Sequence, residues 1–111
     1  MSEDHNRHAG QGPVLLDIGG DVGALIVAAP ASLAGEELEI RPVGRPAPAH
    51  LPHVAVVGRP TGHGVRHSAV FGELTEGTYE LYRRPNGPVV LQVTITGGEV
   101  CQAQWPCDYG T

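Results

Sequence analysis

Between Glu73 and Trp105 the chain reads as three short strands separated by two explicit turn signals, a pattern that antiparallel sheet accommodates and helix does not. The runs Thr78–Arg83, Val89–Thr96 and Glu99–Trp105 are rich in Val, Ile, Thr and Tyr, and are punctuated by Pro85-Asn86-Gly87 and by Gly97-Gly98. Proline presets one turn dihedral and glycine accepts the left-handed region, so both turns reverse the chain without strain. In the middle run Val89, Leu91, Val93 and Ile95 share one face, and Val90, Gln92, Thr94 and Thr96 share the other. Two consecutive hairpins are expected.

The same reading extends toward the N-terminus. Val14–Ile18 and Ala24–Ala29 are apolar runs separated by Gly19-Gly20-Asp21-Val22-Gly23, which predicts a third hairpin at the buried centre of the fold. Pro30–Gly35 predicts a single helical turn or a tight crossing, stopped at Gly35. Glu37–Arg41 alternates cleanly, with Leu38 and Ile40 inward and charges outward, and Pro42 ends it. A proline-stiffened loop follows from Gly44 to Pro52, the internal segment expected to be least ordered. His53–Val57 and Val65–Phe71 then form a further predicted pair.

About eight short strands at this spacing define an all-β fold, a single antiparallel β-sandwich of prealbumin-like or immunoglobulin-like type with at most one short helical turn. The length of 111 residues suits one domain. Residues 1–12 are read as a disordered arm, 13–106 as the sandwich and 107–111 as a tail.

Charge and composition narrow the function. The formal net charge is −5, and all seven basic residues are Arg, so the chain lacks the basic stripe that phosphate backbones or anionic lipid surfaces require. Neither nucleic acid nor membrane is an expected partner. The N-terminus is polar and no apolar run approaches the ~18 residues of a membrane span, which predicts a cytoplasmic location. The absence of lysine, with abundant Ala, Gly, Pro and Val, points to the codon bias of a GC-rich bacterial genome. Cys101 and Cys107 would lie ~20 Å apart on a continuous strand, so free thiols are expected unless the chain bends sharply at Trp105-Pro106.

Leu74-Thr75-Glu76-Gly77-Thr78-Tyr79-Glu80-Leu81 resembles the turn before a strand in prealbumin-like sandwich domains, such as carboxypeptidase-regulatory-like and collagen-adhesin B-type modules. Val93-Thr94-Ile95-Thr96-Gly97-Gly98-Glu99-Val100 is similar to their closing hairpin. The opening Leu15–Leu25 and the closing Gln104-Trp105-Pro106 resemble a group of small bacterial proteins, some labelled phospholipase. The resemblance implies a sandwich fold. A serine esterase would need its nucleophile on a strained elbow, and none of Ser2, Ser32 and Ser68 lies in a G-x-S-x-G context. The tail Cys107–Thr111 likewise departs from the Tyr-Arg-Gly-Ser ending of the 5-hydroxyisourate hydrolases that share the prealbumin-like sandwich.

Six histidines are the compositional excess with chemical content, since imidazole binds zinc and copper. If His53–Val57 and His67–Phe71 paired with 53 opposite 67 or 69, His53 and His67 would share a face with Cβ atoms ~5 Å apart. His63 or His50 could then complete an open copper or zinc site. Asp17 and Asp21 flank Gly19-Gly20 and form a weaker candidate for a cation or phosphate, against the simpler reading of a turn. Trp105 is either a core-closing aromatic or a ligand-stacking surface, the first being the commoner use. Tyr79 and Tyr82 lie on opposite sides of their strand, one expected in the core and one exposed. Arg83-Arg84 reads as a charged guard on an edge strand.

No nucleophile, base and orienter can be placed together. The leading functional expectation is a non-enzymatic binding or interaction module, engaging a protein partner or itself through exposed loops or an edge strand. A histidine-based copper or zinc protein is the alternative, and a small hydrolase the third reading.

Overall fold

The computed structural model describes residues 16–106. These fold into eight strands in two sheets packed face to face, with one short 3-10 turn at Ala31–Leu33. The strands are β1 (Val22–Ala29), β2 (Glu37–Pro42), β3 (His53–Ala55), β4 (Val57–Thr61), β5 (Gly64–Thr75), β6 (Gly77–Arg83), β7 (Val89–Ile95) and β8 (Val100–Gln104). One sheet has the order β4-β5-β1-β8 and the other β3-β2-β6-β7. The all-β sandwich is thus the architecture of the chain. The expected arm, 1–12, and tail, 107–111, both lie wholly outside the described residues.

The inward rows come from alternation on the central strands. Leu25 and Val27 on β1, with Ala69 and Phe71 on β5, face Leu38 and Ile40 on β2 and Tyr79 and Leu81 on β6. All eight are buried, and Trp105, just past β8, closes the same core at 1% exposure. Removing such apolar surface from water is the main force holding the two sheets together.

Three expected pairings are replaced by others. The first is the hairpin of 14–18 with Ala24–Ala29. Residues 16–18 form no strand, and the turn closes on itself through reciprocal backbone bonds of 2.9 Å between Gly19 and Val22. That leaves β1 free to pair antiparallel with β5 and parallel with β8. The β1–β8 pair is the parallel exception in an otherwise antiparallel fold.

The second is the pairing of His53–Val57 with Val65–Phe71. The segment switches sheets at Val56: β3 pairs with β2, and only β4 pairs with β5. Val56 is 2% exposed and its backbone bonds Glu36 O (2.8 Å) and Gly35 N (2.9 Å), so burial of one side chain pins the crossing.

The third is the Gly97-Gly98 hairpin, which is also a crossing, carrying the chain from the edge of one sheet (β7) to the edge of the other (β8). Gly97 must be glycine, because a Cβ there would collide with Gly20 O and sit 2.7 Å from Asp21 Cα, both rigid backbone. Gly98 adopts φ +78° and donates to Val22 O at 2.9 Å, tying the crossing to the start of β1. Pro85-Asn86-Gly87 does close the β6–β7 hairpin, with Gly87 N donating to Arg83 O at 2.7 Å.

Candidate interaction edge

A sandwich of two open sheets has four edge strands, each with one row of backbone N–H and C=O groups lacking a strand partner. Here the four edges differ sharply. β3 is three residues long and offers almost no template. β4 carries Pro60, which has no N–H, and Arg59, whose Nε donates to Ser68 Oγ at 2.9 Å. β7, Val-Val-Leu-Gln-Val-Thr-Ile, and β8, Val-Cys-Gln-Ala-Gln, contain no charge, no proline and no glycine. Both lie on the flank joined by the Gly97-Gly98 crossing.

The direction of the free groups on β7 follows from hydrogen bonds further into the sheet. Val43 N donates to Thr78 O (2.9 Å) and Arg84 N to Glu37 O (2.9 Å), so the even-numbered residues of this part of the chain direct their backbone toward β2. Alternation then turns Gly77, Tyr79 and Leu81 toward β7, where they stand opposite Ile95, Val93 and Leu91. The odd residues of β7 therefore bond inward, and the N–H and C=O of Gln92 and Thr94 face away from the sheet. Thr94 fits this assignment: its Oγ1 lies 3.3 Å from Thr78 Oγ1, as across a closely spaced non-hydrogen-bonded pair.

On β8 the corresponding reporters are Ala24 N to Glu99 O (3.0 Å) and Trp105 N to Ala28 O (2.8 Å). Residues 99 to 105 with odd numbers thus face β1, and Val100, Gln102 and Gln104 direct their backbone outward. Val89 and Val100 on these two strands are 44% and 39% exposed. Among the described residues no backbone bond closes either row.

The candidate residues read from sequence are distributed differently. His53 is on β3 opposite Glu39, exposed, with Nε2 4.0 Å from Glu37 Oε1. His67 is on β5 in the other sheet, opposite Gly58 and Ala29, so the expected His53–His67 juxtaposition does not occur. His63 occupies the β4–β5 turn, its N–H bonded to Thr61 Oγ1 at 3.1 Å, and His50 is exposed in the proline loop. Among the described residues no three His, Cys, Asp or Glu side chains are grouped to hold a metal. Asp17 and Asp21 are exposed before β1.

His67 and Trp105 do come together, both lining a cavity of about 330 Å³ at the far end of β1. The Trp105 Nε1 donor is buried there without an acceptor among the described residues. A second groove, about 420 Å³, runs between the proline loop and β5–β6, with Arg45 stacked 4.8 Å over the Tyr79 ring and bonded to Glu76 O. Cys101 is half-buried and free.

Arg83 and Arg84 end the interior strand β6 and do not guard an edge. Arg84 meets Glu37 at 2.7 Å and Glu39 at 3.0 Å, and Arg83 meets Glu36 at 3.7 Å. Arg41 and Glu80 add a 3.0 Å pair on the outer face beside Arg84, whereas Arg83, opposite the buried Leu38, lies on the other side of the strand. Tyr82 lies beneath this ladder, with Arg41 over its ring and its hydroxyl donating to Glu39, so it is buried, contrary to the expectation that one tyrosine of the pair is exposed. Burial, then the bond to Glu39, pushes its pKa up to about 12. The outer face of this sheet is thus occupied by its own ion pairs.

Sequence reasoning anticipated an edge strand but not which one. The available signal was the lack of charge from Val89 to Ile95; the missing fact was that, among the described residues, no further strand lies beyond β7. Comparisons with protein-family models, with curated proteins and with solved structures find no match.

Proposed function

We propose that the chain is a non-enzymatic interaction module that accepts an extended segment of a protein partner along the β7 edge, with β8 beside it. The observation that carries this reading is the contrast among the four edges: β3 is cut short and β4 is guarded by proline and arginine, while β8 and the stretch Leu91–Ile95 of β7 carry no charge and no proline, the one irregularity of β7 being a register shift at Val90, before that stretch. In such a complex the backbone of Gln92 and Thr94 supplies affinity, and the side chains alternating beside them supply selectivity. An extended peptide laid there meets an aliphatic row on the core side, Leu91, Val93 and Ile95, and a neutral polar row on the outer side.

The test is a selection of extended peptides from a random library, with the bound site mapped by amide chemical shifts. The largest shifts are expected at Gln92 and Thr94 and their neighbours on β6. Slow hydrogen exchange at both amides in the dilute isolated chain would refute the proposal, because the edge would already be covered.

A further inference from the structure

We infer that the partner strand can be the β7 of a second copy of this chain, paired antiparallel about a two-fold axis at Val93. The inference rests on the reading of β7 as an open edge. A two-fold pair requires a strand that complements itself, and only residues with outward backbone groups can form the hydrogen-bonded positions. Setting Val93 opposite the partner subunit's Val93 places Gln92 opposite the partner subunit's Thr94, and Thr94 opposite the partner subunit's Gln92. Those are the two residues whose N–H and C=O face outward, so every hydrogen-bonded position at the centre of the pair is filled by a free donor and acceptor.

The side chains agree with the same register. On the core side Leu91 meets the partner subunit's Ile95, and the two Val93 side chains meet each other, so the apolar row continues across the junction. On the outer side amide meets hydroxyl, with no charge in either strand. This matters because each copy carries a formal charge of −5 and like-charged molecules approach best along a neutral line. Pairing of two short edges buries less than the ~1,200 Å² of a standard stable interface, so the dimer is weak and gains from added salt.

The experiment combines three measurements on the full chain. Sedimentation should show the mass rising toward twice the monomer as concentration approaches about 1 mM, and more so at higher ionic strength. A Val93→Cys variant in a Cys101→Ser/Cys107→Ser background should form a covalent dimer with oxidised glutathione, because Cα atoms of a non-hydrogen-bonded pair stand about 4.5 Å apart, within disulfide reach. Gln92→Cys and Thr94→Cys should cross-link several-fold less.

A monomeric mass throughout, with the Gln92 and Thr94 amides exchanging freely, would overturn the homotypic pairing and leave an open edge for another partner. Protection of both amides at every concentration would overturn the open edge as well. Cross-linking at Gln92→Cys equal to that at Val93→Cys would overturn the register. The mass and exchange measurements use the unaltered chain and do not depend on a variant folding.

Discussion

Proline placed at adjacent positions of β7 should have sharply different consequences, because the strand bonds β6 on one side and nothing on the other. Val93 stands opposite Tyr79 in a pair whose N–H and C=O face each other, so Val93→Pro removes a ladder donor and strands the Tyr79 carbonyl. Leaving that acceptor unpaired costs about 1–3 kcal/mol, and the ring's clash with the neighbouring strand brings the total to roughly 3 kcal/mol or more. Gln92 is exposed and its N–H points away from the sheet, so Gln92→Pro breaks no internal bond. Its cost is confined to fitting the fixed proline φ into an extended strand, about 1 kcal/mol or less, and the preceding Leu91 is already extended as proline prefers. The difference of about 2 kcal/mol corresponds to roughly 8–16 °C in melting temperature for a domain of this size. Thermal unfolding of dilute protein, followed by circular dichroism, reads the difference directly. Equal destabilisation by the two prolines would refute the assignment of free backbone groups, and with it the edge on which both functional inferences stand.

Two further outcomes are expected. The raised pKa of Tyr82 means that the unfolded chain ionises this phenol near pH 10 and the folded chain only near 12, so its contribution to stability is complete below about pH 10 and is lost as pH rises toward 12. Urea midpoints measured from about pH 9 upward should fall less steeply for Tyr82→Phe than for the parent chain; identical slopes would show that burial and Glu39 do not hold the phenol in its neutral form. For the histidines, whatever copper or zinc the full chain takes up in a calorimetric titration should be unchanged by His53→Ala/His67→Ala, since the two residues stand in different sheets. A lost binding isotherm in that double variant would contradict their separation.

The strands were legible because their evidence is local. Alternation in Glu37–Arg41 and Leu91–Ile95 gives both the element and its buried face, although a register shift at Val90 turns Val89 outward and Val90 onto the core, against the expected row, and Pro85-Asn86-Gly87 gives the hairpin between β6 and β7. Pairing partners were less legible wherever a short connection crosses between sheets. A glycine pair that turns a hairpin and a glycine pair that carries the chain across a sandwich use the same residues, and only the packing of Gly97 against Gly20 and Asp21 distinguishes them. The same limit separated His53 from His67. One buried valine, Val56, diverts the strand between them, and nothing in the apolar run from Val54 to Val57 marks which residue makes the switch. The expectation of one exposed tyrosine in the Tyr79/Tyr82 pair fails for a different reason: period-two alternation says which face a residue occupies, but not that Arg41 will cover that face.

The distribution of charge over the sandwich gives the edge its meaning. Arginine and glutamate are concentrated on the outer face of the β3-β2-β6-β7 sheet, where Arg41 and Arg84 pair with Glu80, Glu37 and Glu39. Exposed pairs of this kind contribute little to stability, each about 0–1 kcal/mol, yet they keep a broad flat face polar and matched to itself. Had the same residues been spent on guarding strands, a single arginine or lysine in β7 would have sufficed, as Arg59 and Pro60 do on β4. Instead the ladder stops one strand short: on the outer face Glu80 stands opposite the uncharged Gln92, and Thr78 opposite Thr94. Polarity is thus preserved across the face while repulsion is removed at its border. That combination, a polar face bordered by an uncharged strand, is what the proposed pairing along β7 requires.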